Sequence, residues 1–177
     1  MPCAVANGHS KTDSSAMKNF PVVLFSALLA SPVFAQDAPI DWRTIATEFS
    51  EDQAAAEAKY AGKMITVTGP VSSIAEGDMT TESTPAVAVI LSTQDGPGPD
   101  VKCLFENEDL EPNTQLAVTD DASEVLIRTV DQVGNETGSR PFIQSGQQIT
   151  VSGSFFEFDA GDIVLRHCRM AAGSPAQ

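Results

Sequence analysis

Gly62-Lys63-Met64-Ile65-Thr66-Val67-Thr68-Gly69 is echoed further along the chain by Gly146-Gln147-Gln148-Ile149-Thr150-Val151-Ser152-Gly153. Each stretch leaves a glycine turn, alternates apolar with hydroxyl-bearing residues, and meets a second glycine where a side chain would face inward. Alternation with a period of two marks a half-buried strand, one face on a core and the other on solvent. A glycine inside such a strand weakens it and signals a bend, a bulge or a close approach. Two strands curved at equivalent places suit a barrel that closes on itself. The copies are too far apart for a solenoid repeat, so the echo reads as a shared structural role.

Working outward, Val71 extends the first stretch and Phe155 the second. Val87, Val89 and Leu91 alternate in the same way, as do Val101, Cys103 and Phe105, and Ile163 to Met170 is a last strand with apolar residues on both faces. Five such strands suggest a mainly β fold, a small barrel or sandwich. Asp95-Gly96-Pro97-Gly98-Pro99-Asp100 and Asp159-Ala160-Gly161-Asp162 carry turn chemistry between strands. Upstream, Ile40, Ile45 and Phe49, with Trp42 near the same stripe, recur at helical spacing and predict two short helices or one kinked helix over 40–60. Ser50-Glu51-Asp52-Gln53 has the form of a capping box with Ser50 as N-cap, and Gly62 ends the helical segment.

The N-terminus has a different character. Met17-Lys18-Asn19 offers a start with a positive charge, Phe20 to Leu29 is uncharged and mostly apolar, and Val33-Phe34-Ala35 fits signal-peptidase cleavage between Ala35 and Gln36. An ordinary buried helix is the competing reading, but its flanks would not match all three parts of a signal. The apolar run falls short of the about 20 residues of a membrane span. Without a cysteine at the cut, a lipid anchor is not expected. Residues 1–16 are polar and patternless and read as an extension ahead of Met17. The chain thus divides into 1–16, a signal peptide 17–35, a helical segment 36–61, a barrel over 62–170, and a disordered tail 171–177. Export implies a periplasmic or secreted product. The net charge of −14 becomes about −15 once Lys11, Lys18 and Asp13 are removed, which aids solubility and repels nucleic acid and anionic membrane surfaces.

The order helix, Tyr60-x-Gly62-Lys63, I-T-V-T-G, then V-x-C-x-F over 101–105, G-Q-x-I-T-V-S-G and I-V-L-x-x-C over 163–168 resembles the tRNA_anti-like family of bacterial OB-fold proteins, across about residues 48–170. The resemblance implies a five-stranded OB-fold Greek-key barrel with its third strand beside its fifth. It brings no activity with it, since the family's name records likeness to anticodon-binding barrels. The sequence departs from the pattern at about 106–145, an insertion that opens acidic. Within it Leu126, Val130 and Val133 fit a short helix, Val125 to Val130 equally an extra strand, and Gly134 to Pro141 a loop.

Cys103 and Cys168 are the cysteines that survive cleavage. Two buried thiols would satisfy the pattern. The strand order implied by the resemblance, together with an oxidising compartment, makes a structural disulfide the sharper expectation, with a stabilisation of about 4 kcal/mol in the loop-entropy view. The wide spacing does not suit a redox-active pair. His167, flanked by Arg166 and Arg169, lacks the further His or Cys ligands of a zinc site. A Ser-His-Asp triad could be assembled only on paper, without a nucleophile elbow. The acidic groups at 106–111 and at Asp120, Asp121 and Glu124 show no calcium-loop motif. The sequence therefore names no catalytic residue, metal ligand or cofactor.

Single-strand binding by an OB fold needs a basic groove and aromatic platforms. The exposed faces of the echoing strands are Thr and Ser, Phe105, Phe155 and Phe158 fall in or near core positions, and only Lys102, Arg166 and Arg169 could line a groove. The reading is an exported, non-enzymatic OB-fold binding or interaction module of the bacterial periplasm, with loops 72–85, 94–100 and 106–145 as the ligand surface. An envelope protein, peptide or glycan is the expected partner. A nucleic-acid-binding OB domain is the alternative, carried by fold analogy.

Overall fold

A computed structural model describes residues 38–77, 86–93 and 98–171. Along the chain it forms β1 (Ile40–Asp41), α1 (Trp42–Glu51), α2 (Gln53–Tyr60), β2 (Met64–Glu76), β3 (Ala86–Leu91), β4 (Asp100–Glu106), a 3-10 turn (Asn107–Asp109), β5 (Thr114–Val118), β6 (Glu124–Val130), β7 (Glu136–Gln144), β8 (Gln148–Asp159) and β9 (Asp162–Met170). Five strands run in the order β2-β3-β4-β9-β8, and β8 pairs back onto β2 to close the barrel. Around this ring β4 and β9 are parallel and the other pairs antiparallel. This is the mainly β, five-stranded OB-type barrel expected from the sequence, with two helices ahead of it and the third barrel strand beside the fifth.

The two echoing stretches are partners across the closing seam. Ile65 lies opposite Gly153, Val67 opposite Val151 and Gly69 opposite Ile149, so each isoleucine meets the other strand's glycine. Their inward residues are buried, while the outward hydroxyls bond across the seam, Thr66 to Ser152 at 2.7 Å. Past Pro70, β2 leaves β8 for β3, with Val71 opposite Leu91, and β1 covers the other edge of its first half. Gly69 is a close approach, because a Cβ there would stand 2.7 Å from Cδ1 of Trp42.

The helices bury Trp42, Ile45, Ala46 and Phe49 of α1 and Ala56 and Tyr60 of α2. The Phe49 ring lies 5.8 Å from Phe155 and 5.3 Å from Phe158, which ties α1 to β8. The cap of α2 differs from expectation. Ser50 still belongs to α1 and donates to the Ala46 carbonyl at 2.8 Å, while Asp52 leaves helical geometry and accepts from Ala55 N–H at 3.0 Å. A carboxylate at the break outcompetes a hydroxyl already bonded within the preceding turn. Gly62, at φ +68, follows the helix end as a left-handed residue.

The insertion is a three-stranded antiparallel sheet in the order β5-β6-β7. The strand alternative for Val125 to Val130 is the one realised, as β6. Gly134 to Pro141 is not loop throughout, because β7 begins at Glu136. Its residues from Glu136 to Pro141 are exposed, so no apolar alternation announces the strand. Pro141 is tolerated because β7 is an edge strand with a register shift beside it. Val125 and Ile143 are fully buried, and Phe142 meets Phe105 edge-on at 5.7 Å, so the insertion shares the barrel's core. Among the described residues no helix is long and apolar enough to cross a membrane.

Candidate functional site

The parallel pairing of β4 and β9 decides which charges meet. Val101 lies beside Ile163 and Cys103 beside Leu165, so the two strands reach the same end of the barrel together. There Glu106 and the following turn bring carboxylates to Arg166, His167 and Arg169. Ser152 pairs with Arg169 and Ser154 with Arg166, so two steps on β8 oppose three on β9. The extra residue makes a bulge, and His167 within it adopts φ +53. That conformation is uncommon for a residue with a side chain and aims the imidazole out of the strand's alternation.

The resulting cluster is dense. Arg166 Nε donates to Glu106 Oε1 at 2.7 Å, and Arg169 donates to Asp109 Oδ1 at 2.7 Å. His167 Nδ1 stands 3.0 Å from Asp109 Oδ2, 3.3 Å from Glu106 Oε2 and 3.7 Å from Glu108 Oε1. The Glu106 side chain is only 2% exposed, that of Asp109 11%, and that of His167 45%. Burial alone would raise the Asp109 carboxyl, but hydrogen bonds from Arg169 and His167 outweigh it and hold the group below its ordinary range. Arg166 is pushed further up by its bond to Glu106. Its guanidinium also lies 5.2 Å from the ring of Phe156, a side chain left exposed by a second irregularity in the β8–β9 register.

His167 and Arg169 also line a cleft of about 430 Å³ on the outer side of the barrel, with Ile40, Met64, Thr66 and Ser152 among its other walls. The cleft combines apolar surface with hydroxyls and one cationic side chain. Ser152 Oγ is bonded to Thr66, and the His167–Asp109 pair stands nearby. This composition suits recognition of a ligand with both apolar and hydrogen-bonding parts.

The expected residues fall as follows. Cys103 and Cys168 are both buried, but the structure holds them as free thiols and the expected bridge is not formed. The register is the reason: Leu165 lies beside Cys103, and Cys168 is three residues further on, past the bulge. The bulge also turns Cys168 inward with Leu165, where plain alternation from Val164 would not place it. Cys168 Sγ donates to the Leu165 carbonyl at 3.5 Å, and burial, followed by the neighbouring Cys103, raises its thiol well above the ordinary value. Asp121 accepts from Thr119 and Ser123, so it organises a turn. Ala35 and Gln36, the segment 78–85, residues 94–97 and residues 172–177 lie outside the described residues. Residues 72–76 of the first expected loop are strand. Phe156 sits on the outward parity of β8, opposite to Ile149, Val151 and Phe155, and Phe158, of the same parity, reaches the core only past the register shift between Phe155 and Glu157.

Searches of curated proteins and of solved structures each return no match. The tRNA_anti-like family model matches residues 9–169, starting well before the stretch whose motifs carried the resemblance. With the closed five-stranded barrel, this places the chain in the tRNA_anti-like family.

Proposed function

We propose that the protein is an exported, non-enzymatic binding module of the bacterial periplasm, whose OB barrel holds an envelope peptide, glycan or protein segment. The cleft between β1, β2, β8 and β9 carries this reading. Its apolar walls, hydroxyl pair and Arg169 provide contact area together with orienting polar groups. Export rests on the sequence of residues 17–35.

The alternative, a nucleic-acid-binding domain, finds support in Phe156 and the Arg166 guanidinium over it. That arginine is already held by Glu106, and three carboxylates surround the histidine beside it, which makes the surface a poor phosphate site.

The deciding experiment compares wild type with Thr66→Trp, which fills the cleft from its half-buried hydroxyl wall. Wild type should retain a defined component of periplasmic extract that the variant does not, and neither should bind single-stranded DNA at physiological salt. Equal retention by both would remove the cleft from the reading. Micromolar, steeply salt-dependent DNA binding would establish the alternative. Mass spectrometry of protein from the native host should find an N-terminus at Gln36.

A further inference from the structure

We propose that Glu106, Glu108 and His167 form a binding site for a divalent transition metal of the zinc type, with Asp109 or water at its open position. One potential ligand atom from each of the three residues lies within 4.8 Å of the others. A tetrahedral ion with bonds of about 2.0–2.2 Å sets its ligand atoms about 3.3–3.6 Å apart. The imidazole Nδ1 stands 3.3 Å from Glu106 Oε2 and 3.7 Å from Glu108 Oε1, which brackets that spacing. Asp109 Oδ2, at 3.0 Å from Nδ1, is the nearest further oxygen.

A second observation is independent of the clustering. Glu106 Oε2 is buried and has no hydrogen-bond partner, although it faces the imidazole. The Nδ1 position carries at most one hydrogen, and its hydrogen-bond partner is Asp109. A buried carboxylate oxygen left without a partner is costly, and a cation shared by the three side chains would satisfy it.

The arginines support this arrangement. Arg166 takes Oε1 of Glu106 and Arg169 takes Oδ1 of Asp109, so each carboxylate turns its other oxygen toward the histidine. Ligating carboxylates held by outer hydrogen bonds are a recurrent feature of metal sites. The left-handed backbone of His167 then has a role, since it swings the ring out of β9 toward the carboxylates of the turn. An imidazole ligand favours zinc and its neighbours over calcium, which takes six to eight oxygens.

The site stands apart from the partner reading above, since a metal can bind whether or not the cleft holds a ligand. Calorimetric titration of the purified protein with zinc chloride should show one ion per chain. Glu108→Gln, on an exposed side chain, and His167→Asn, which tolerates the left-handed backbone, should each weaken binding at least about tenfold, the loss typical even of outer-shell changes. Cobalt should give the intense visible absorption of a tetrahedral ion in wild type and lose it in both variants. Circular dichroism without metal should be unchanged in Glu108→Gln, which separates a lost ligand from a lost fold. Absence of zinc binding, zinc affinity unchanged in both variants, or calcium binding as tight as zinc would each overturn the proposal.

Discussion

Gly69 and Trp42 occupy the same space: the absent Cβ of the glycine is where the indole edge rests, 2.7 Å from Cδ1. Leu91 Cβ stands 3.3 Å from the same point, so neither side has room to yield. Gly69→Ala should destabilise the protein by about 1–3 kcal/mol through overpacking. The single tryptophan of the chain makes the change measurable, by following its fluorescence through urea unfolding. An unchanged midpoint would mean that the indole repacks freely.

Ala160 and Gly161 form the two-residue tip between β8 and β9, both at positive φ, 52° and 95°. A hairpin of this twist favours Asn-Gly, because asparagine enters the left-handed region more readily than alanine. Ala160→Asn should raise stability by about 0.5–1 kcal/mol, read as a higher denaturation midpoint with an unchanged denaturant slope. A lower midpoint would count against the turn assignment.

Asp100 and Asp162 sit directly beside one another where β4 meets β9. Burial and then the Asp100 charge raise the Asp162 carboxyl above its ordinary range, with Lys102 opposing them. A raised carboxyl binds its proton more tightly folded than unfolded, so it favours the fold at low pH and loses that contribution as pH rises through the folded value. Asp162→Asn should therefore stabilise by about 0.2–1 kcal/mol at neutral pH, with the gain fading in acid. Thermal melts at two pH values check the sign, and a neutral-pH loss would show that the carboxylate makes a bond the asparagine cannot.

Glu48 joins the helices, accepting from Lys59 at 2.6 Å and from the Tyr60 hydroxyl at 2.9 Å. The Lys59 bond is the main reason its carboxyl lies below the ordinary value of 4.5, despite some opposing burial. A depressed carboxyl contributes stability above its unfolded value and loses it as pH falls through the folded one. Glu48→Gln should cost about 0.2–1 kcal/mol at neutral pH, because Lys59 is half exposed, and nothing once the Glu48 carboxyl is protonated in the folded as well as the unfolded chain. Acid titration of wild type and variant stability should converge below that range.

What the sequence made legible follows from periodicity. Ile65, Val67, Ile149 and Val151 alternate because one face is buried, so the barrel strands could be read directly. Glu136 to Pro141 could not, since an edge strand exposed on both faces needs backbone partners and no apolar code. The cap at Asp52 was hidden because Ser50, two residues earlier, offers the same chemistry. The charged site was only half visible. Glu106 and Glu108 stand together in sequence, but their meeting with His167 depends on a parallel register and a one-residue bulge, which no local pattern encodes. The same bulge puts Cys168 on the buried face of Leu165, off the alternation that runs through Val164.

The seam between β2 and β8 has a consequence for how the chain acquires its shape. It joins residues 86 apart in sequence at Thr66 and Ser152, whereas the β6–β7 pairing spans 20 at Glu124 and Gln144. Loop-closure entropy must be met before distant pairs can stabilise anything, so the β5-β6-β7 meander is the fast, local part of the molecule and barrel closure the slow one. Until β8 arrives, the first half of β2 exposes an apolar edge, and any chain released before about residue 153 lacks the strand that seals it. Refolding should therefore show insertion-sheet amide protection ahead of protection at Val67 and Val151, with aggregation confined to the interval between the two.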